Sequence, residues 1–369
     1  MCLKKLLRRF MEKKPVVKTD EEIAAAKAVA EANLRQLYGK ITALTESTEG
    51  LYYVIEDYFF QEVDFQMIQG TVSQWMADAG RSPECSWDRL LYDKVRQVYD
   101  DPLSNRVLHW YDVQNLLSAF QDRVGATSKY LREVFTAIPA YCLYNDTDYS
   151  SATRGADQEI DNIHASINNV FVALSSAFDL FTKVVYECAK YDPQGFDTYK
   201  RLKSRSDGIL YAKKNCGFDE LKEPGLLYDE PACIRTVCSF RDEFIHCGSW
   251  DYRCAIYYPF IDDNPVEPFI PMPDVEPSGV LVSSGSRNKF YASGAKINTT
   301  MPKLVNDVMD VLEKTMTRLE DVLKAKTTPA TDKERNEKAV EYMELLGQNA
   351  MKLPKVVGKD KRCTKRYSL

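Results

Sequence analysis

From Ile160 to Val185, apolar side chains return every three or four residues: Ile160, Ile163, Ile167, Val170, Phe171, Leu174, Phe178, Phe181 and Val185. That spacing predicts one helix over about 157–190 with a single apolar stripe. A stripe this long has to be covered, and the rest of the sequence offers mostly helices to cover it. Asp20 followed by EEIAAAKAVAEANLRQLYGKITAL predicts a helix over 20–45, with Asp20 as N-cap and acidic residues in its first turn. Further helical periodicity occupies 50–79, 86–100, 107–123 and 126–143, divided by Gly80, Ser82-Pro83, Asp101-Pro102 and Gly125. Residues 1–145 thus read as an N-terminal helical bundle of four or five helices.

The polar stretch 144–155, rich in Asp, Ser and Gly, reads as a boundary or a long connection. After the long helix come helical segments at 195–205 and near 206–213. Asp229-Glu230-Pro231 then opens a helix that reaches about 247, where Gly248 is a natural stop. From 253 to about 295 the period changes to two. CAIYYPFI (254–261), GVLVSS (279–284) and KFYAS (289–293) read there as three short strands. A last amphipathic helix spans 302–325, followed by a tail over 328–369 with one more helix at 333–347 and a basic end.

Composition narrows the function classes. With 44% hydrophobic and 28% charged residues, the 369-residue chain can bury a sizeable core, and its length suggests two structural units or one large one with insertions. No stretch approaches the roughly 20 consecutive apolar residues of a membrane span. The basic start, MCLKKLLRRFMEKK, lacks the long apolar run of a secretory signal. The 10 Cys form no CxxC pair and only 3 His are present, which leaves a zinc site little to work with; reduced thiols in a cytoplasmic protein are expected. The net charge of −5 hides an asymmetry: residues 1–18 and 352–369 each carry +6, so the middle is strongly acidic. Such a body does not grip long duplexes by general electrostatics. The basic ends either touch RNA or anionic lipid, or are solvated tails.

The sequence RDEFIH, from Arg241 to His246, carries the chemistry. A histidine near its reference pKa exchanges protons at neutral pH, and an arginine presents a permanent planar fork to phosphate oxygens. A long helix, a second helix, a helix ending in RDEFIHCG and a closing long helix together resemble the HEPN superfamily. That family's pattern is Arg, four to six residues, then His, often with a polar residue directly after the Arg, here Asp242. The resemblance covers about 157–325 and divides the chain into an N-terminal region (1–145), a HEPN-like antiparallel helical bundle (156–327) with a small β insertion at 253–295, and the tail.

The resemblance implies a metal-independent endoribonuclease without cofactors, with Arg241 and His246 as catalytic residues. It also implies an RNA substrate, a homodimer whose two Arg/His pairs line one cleft, and a microbial role in toxin–antitoxin or antiphage defence with a regulatory protein partner. His164 and Asn168, on one stripe of the long helix with Asp161, either support the site from that helix, as the resemblance implies, or form a partly exposed polar stripe opposite Ile163 and Ile167. Asp242 and Glu243 either orient Arg241 or His246 by an ion pair or lie on a solvated face. His109 reads as a packing histidine, and Cys233, Cys238 and Cys247 as small core residues. Residues five apart on a helix point about 140° from each other. The pair is therefore expected to cooperate through a loosening of the helix near His246 or through a second subunit. The rival readings are a non-catalytic HEPN-like scaffold and, more remotely, a helical adaptor whose basic N-terminus touches membrane.

Overall fold

Thr19 and Glu22 open the first helix. The Thr19 hydroxyl accepts from the Glu22 N–H at 3.2 Å, and the Glu22 carboxylate accepts from the Thr19 N–H at 2.8 Å. This reciprocal capping box satisfies two donors at once, so Thr19, one residue ahead of the expected Asp20, is the cap. The structure, a computed structural model, describes residues 19–72, 76, 92–93, 96–141, 147–149, 152–155, 158–199, 202–205, 211, 216–248, 255–261, 264–265, 267–287 and 289–352. The basic ends, residues 86–91 and 94–95 of the helix expected at 86–100, and most of 206–213 lie outside these residues.

Helix dominates the described residues. The elements in chain order are α1 (Asp20–Phe59), the single turn α2 (Phe65–Ile68), α3 (Pro102–Ala140), β1 (Thr147–Tyr149), β2 (Ala152–Gly155), α4 (Gln158–Ala189), α5 (Ala232–Cys247), β3 (Ile256–Ile261), β4 (Asn264–Pro265), α6 (Ile297–Lys326) and α7 (Asp332–Lys352). Two compact units are each assembled from interleaved segments. The first comprises residues 1–51, 117–185 and 209–319; the second, 52–116, 186–208 and 320–369. The expected break between 1–145 and 156–327 does not coincide with a boundary between these units. Helices α1, α3, α4 and α6 contribute residues to both, so a reading in consecutive blocks misses the partition.

In the first unit, all nine apolar positions named on α4 are at most 3% exposed. By length and composition α4 could cross a membrane, but 61% of its apolar stretch is buried against the rest of the chain, as in a core helix. Gly125, expected to break a helix, lies inside the continuous α3. An interior glycine costs only about 1 kcal/mol, which buried Phe120, Val124 and Leu131 on the same helix readily offset.

The stretch 144–155 holds two short strands where the sequence reads as a connection. The antiparallel sheet has the order β1-β2-β3-β4, with Gly155 opposite Ile256 and Ala152 opposite Pro259. Pairing across about a hundred residues leaves no local signal. The strand expected at 254–261 is present as β3, but those at 279–284 and 289–293 are not formed. Positive φ at Gly279 (93°), Gly285 (52°) and Ser286 (62°) bends the backbone out of the extended region. Only isolated bridges remain, Val275 to Leu281 and Ser284 to Arg287. The Asp274 carboxylate gathers the loop instead, accepting from the N–H groups of Ala292 at 2.6 Å and Ser293 at 3.0 Å.

In the second unit, Arg106 donates to the Tyr191 hydroxyl at 3.1 Å and pairs with Glu62 at 2.5 Å. Tyr191 in turn donates to the Phe59 carbonyl at 2.6 Å and stacks on the Phe59 ring at 4.4 Å. A second capping box, Thr331 with Glu334, starts α7.

Candidate functional site

Helix α5 positions the RDEFIH residues, and its two faces differ sharply. Ile234, Val237, Phe240 and Phe244, three or four residues apart, are buried. Phe240 lies on Phe171 of α4 and Phe244 meets the same ring edge-on. Arg241 is half-buried, whereas Asp242, Ile245, His246 and Cys247 are exposed. At the far end Gly248, at φ 84°, donates its N–H to the Phe244 carbonyl at 3.2 Å. Glycine suits that cap because the left-handed region carries no Cβ penalty for it.

The helix therefore stays regular through Cys247, and the loosening expected near His246 does not occur. The geometry offers another route. Arg241 Nη1 donates to Asp242 Oδ1 at 2.8 Å. Asp242 lies four residues before His246, on the same stripe of the helix. The ion pair thus draws the guanidinium toward the stripe that carries the imidazole, although the Cα–Cβ directions of Arg241 and His246 diverge by about 140°. The pair is partly solvated, with Asp242 59% exposed, so it orients the arginine more than it stabilises the fold.

The remaining expected residues distribute differently. Glu243 is 7% exposed, its Oε1 2.9 Å from Lys289 Nζ. This ion pair ties α5 to the 276–293 loop. His164, expected on a supporting stripe, is 3% exposed and belongs to the core of α4; Asn168, one turn on, is half-buried. Cys233 and Cys238 are half-buried and Cys247 is exposed, so the last is not a core residue. Burial pushes the Cys238 thiol up to about 12, far from a thiolate nucleophile at neutral pH.

Sequence reasoning missed Asp179, the one carboxylate on α4 between Asp161 and Glu187. Its Oδ1 is buried without a hydrogen-bond partner, and its charge is coupled to those of Arg241 and Lys183. Burial raises the Asp179 pKa; a hydrogen bond from the Tyr211 backbone and the two cations oppose the rise. An acidic residue amid Ser-Ala-Phe and Leu-Phe was the available signal.

In the second unit, Tyr92, Asp93, Arg96, Gln97, Asp100, Thr198 and Tyr199 line an open depression of about 350 Å³. Its guanidinium is already committed: Arg96 donates to the Tyr99 carbonyl and to Asn105, and lies 5.4 Å from the Tyr199 ring centre. His109 packs between Phe59 and Phe196, in line with a packing role. Among the described residues, no three His, Cys, Asp or Glu side chains gather as metal ligands. Compared with protein-family models, curated proteins and solved structures, the chain matches none.

Proposed function

We propose that the chain is a metal-independent endoribonuclease of HEPN type. The observation that carries this reading is the outward face of α5, where Arg241 is tied to Asp242 and His246 stands exposed one turn beyond. In the proposed reaction one imidazole removes the proton of a ribose 2′-hydroxyl, whose oxygen attacks the adjacent phosphorus. A second imidazole protonates the departing 5′-oxygen, leaving a 2′,3′-cyclic phosphate and a 5′-hydroxyl. Arg241 neutralises charge that builds on the phosphorane oxygens. One chain supplies a single exposed histidine on this face, so a homodimer provides the second. A cytoplasmic role in toxin–antitoxin or antiphage defence, held in check by a regulatory protein, belongs to the same proposal and rests on the family resemblance alone.

The test is RNA cleavage by the wild type and by His246→Ala, both with EDTA present. The expected result is cleavage by the wild type and a loss of at least about 100-fold in the variant. Equal cleavage by the two proteins removes His246 from the mechanism, and loss of cleavage on chelation points to a metal nuclease.

A second reading, a non-catalytic HEPN-like scaffold, is favoured by one observation: α5 is regular through Cys247 while Ile245 is 54% exposed beside the histidine. A dimer that binds RNA or protein without cutting RNA, and that separates on Ile245→Asp, would support it.

A further inference from the structure

The 276–293 loop runs along one stripe of α5. Gly279 sits against the Ala232 carbonyl, the Leu281 N–H donates to Ser239 Oγ at 3.2 Å, and Lys289 pairs with Glu243. Ala232, Ser239 and Glu243 are seven and four residues apart, so they lie on one side of the helix, and His246, three residues on, continues the same stripe. Phe290 and Tyr291 directly follow Lys289, which is thus held one turn short of the imidazole. Their rings are 37% and 41% exposed. The backbone beneath them is nevertheless fixed: the Phe290 carbonyl accepts from the Asp274 N–H at 2.7 Å, and the Asp274 carboxylate accepts from the Ala292 and Ser293 N–H groups.

Charge adds a second observation. From Pro277 to Asn306 the sequence holds Arg287, Lys289, Lys296 and Lys303 and no Asp or Glu, within a chain whose net charge is −5. Lys289 is committed to Glu243, but Arg287, two residues before it, is exposed. Open aromatic rings beside a cation on an anchored backbone suit unpaired bases, which stack on the rings while the cation meets the phosphates. A second copy of the chain fits less well, because two acid-free strips facing each other would repel.

We propose that Phe290 and Tyr291 form a stacking platform for unpaired bases of single-stranded RNA, with Arg287 on its phosphates. The inference rests on the ribonuclease reading for what happens to the strand at His246, and it makes single-stranded RNA the substrate class of that site.

The test is binding of a labelled single-stranded RNA with 2′-O-methyl riboses, which 2′-hydroxyl attack cannot cut. Phe290→Leu combined with Tyr291→Leu keeps apolar bulk and removes both π faces. This protein is expected to bind about tenfold or more weakly than the wild type, and Phe290→Trp at least as tightly as the wild type. Arg287→Gln is expected to reduce the slope of log affinity against log salt by about 0.7. A duplex of the same sequence should compete poorly. Equal binding by the leucine variant and the wild type overturns the platform, as does a wild type that binds no single strand. Normal RNA binding by Phe290→Ala with Tyr291→Ala, together with lost self-association in sedimentation, also overturns it and assigns the rings to an interface between copies. Platform-dependent binding by a wild type that cleaves no RNA supports the platform and counts against the ribonuclease reading alone. Cleavage of ordinary RNA by the leucine variant with unchanged KM removes the platform and leaves the ribonuclease reading intact. Should the double variant fail to fold, Phe290→Leu and Tyr291→Leu singly carry the same measurements.

Discussion

Phe240 of α5 lies face to face on Phe171 of α4, with ring centroids 4.7 Å apart and planes within 7° of parallel. Phe244 meets the same Phe171 ring edge-on at 5.7 Å. One ring of α4 thus pins two consecutive turns of α5, and this contact fixes which residues face outward. Phe171→Ala removes both contacts and leaves a cavity, so it should destabilise the protein by about 3–5 kcal/mol in urea unfolding. Phe240→Leu keeps most of the volume and forfeits the stacking, for a loss of about 1 kcal/mol. A Phe171→Ala protein as stable as the wild type would mean that α5 is held by something else.

Two glycines should respond very differently to alanine. A Cβ on Gly279 would sit 2.1 Å from the Ala232 carbonyl oxygen, where the loop presses on the first turn of α5. At Gly248, equally left-handed at φ 84°, a Cβ meets nothing within 4 Å. Gly248→Ala should therefore cost only the backbone term, about 1–2 kcal/mol. Gly279→Ala adds a backbone clash and should cost more, lifting the loop from α5. Denaturant midpoints of the two variants check the order, and proteolysis near 280 reports the loop.

Glu243 and Lys289 make a nearly buried ion pair, with side chains 7% and 16% exposed and a distance of 2.9 Å. Removing one member leaves the other charge in a poorly solvated place. Lys289→Met should destabilise by about 2–3 kcal/mol, and the loss should change little between low and high salt because buried pairs are weakly screened. If added salt abolishes the difference, the pair is solvated in solution.

Much of this arrangement was legible in the sequence, for identifiable reasons. The α4 stripe and the stop at Gly248 are set by neighbours within a few residues, where periodicity and capping chemistry operate. The same is true of the start of α5 after Pro231. What was not legible depends on partners far along the chain. Glu243 and Asp242 are adjacent acids with identical local credentials, yet one pairs with Lys289 and the other with Arg241. The β1–β2 strands need β3, and Gly125 is outvoted by buried residues on either side. The expected loosening at His246 failed because Gly248 acts two residues later, capping an intact final turn.

His109 should leave a signature in the pH dependence of stability. It is 5% exposed, and its Nε2 lies 3.6 Å from Glu187 Oε2. Burial, reinforced by the Lys203 charge, pushes its pKa down to about 4 from 6.5. The folded value is the lower one, so between those limits the unfolded chain binds the extra proton. The stability that neutral His109 contributes is complete above about pH 6.5 and is lost as pH falls toward 4. Glu187 acts with the opposite sign, since burial raises its carboxyl and the folded state then takes up the proton first. A single stability curve mixes the two effects, so the useful quantity is the difference between wild type and His109→Phe, which keeps an aromatic ring beside Phe59 and Phe196 without a titrating nitrogen. The wild type should lose about 3 kcal/mol relative to the variant between pH 7 and pH 4. A difference that stays flat across that range would mean that His109 is charged in the folded protein and paired with Glu187.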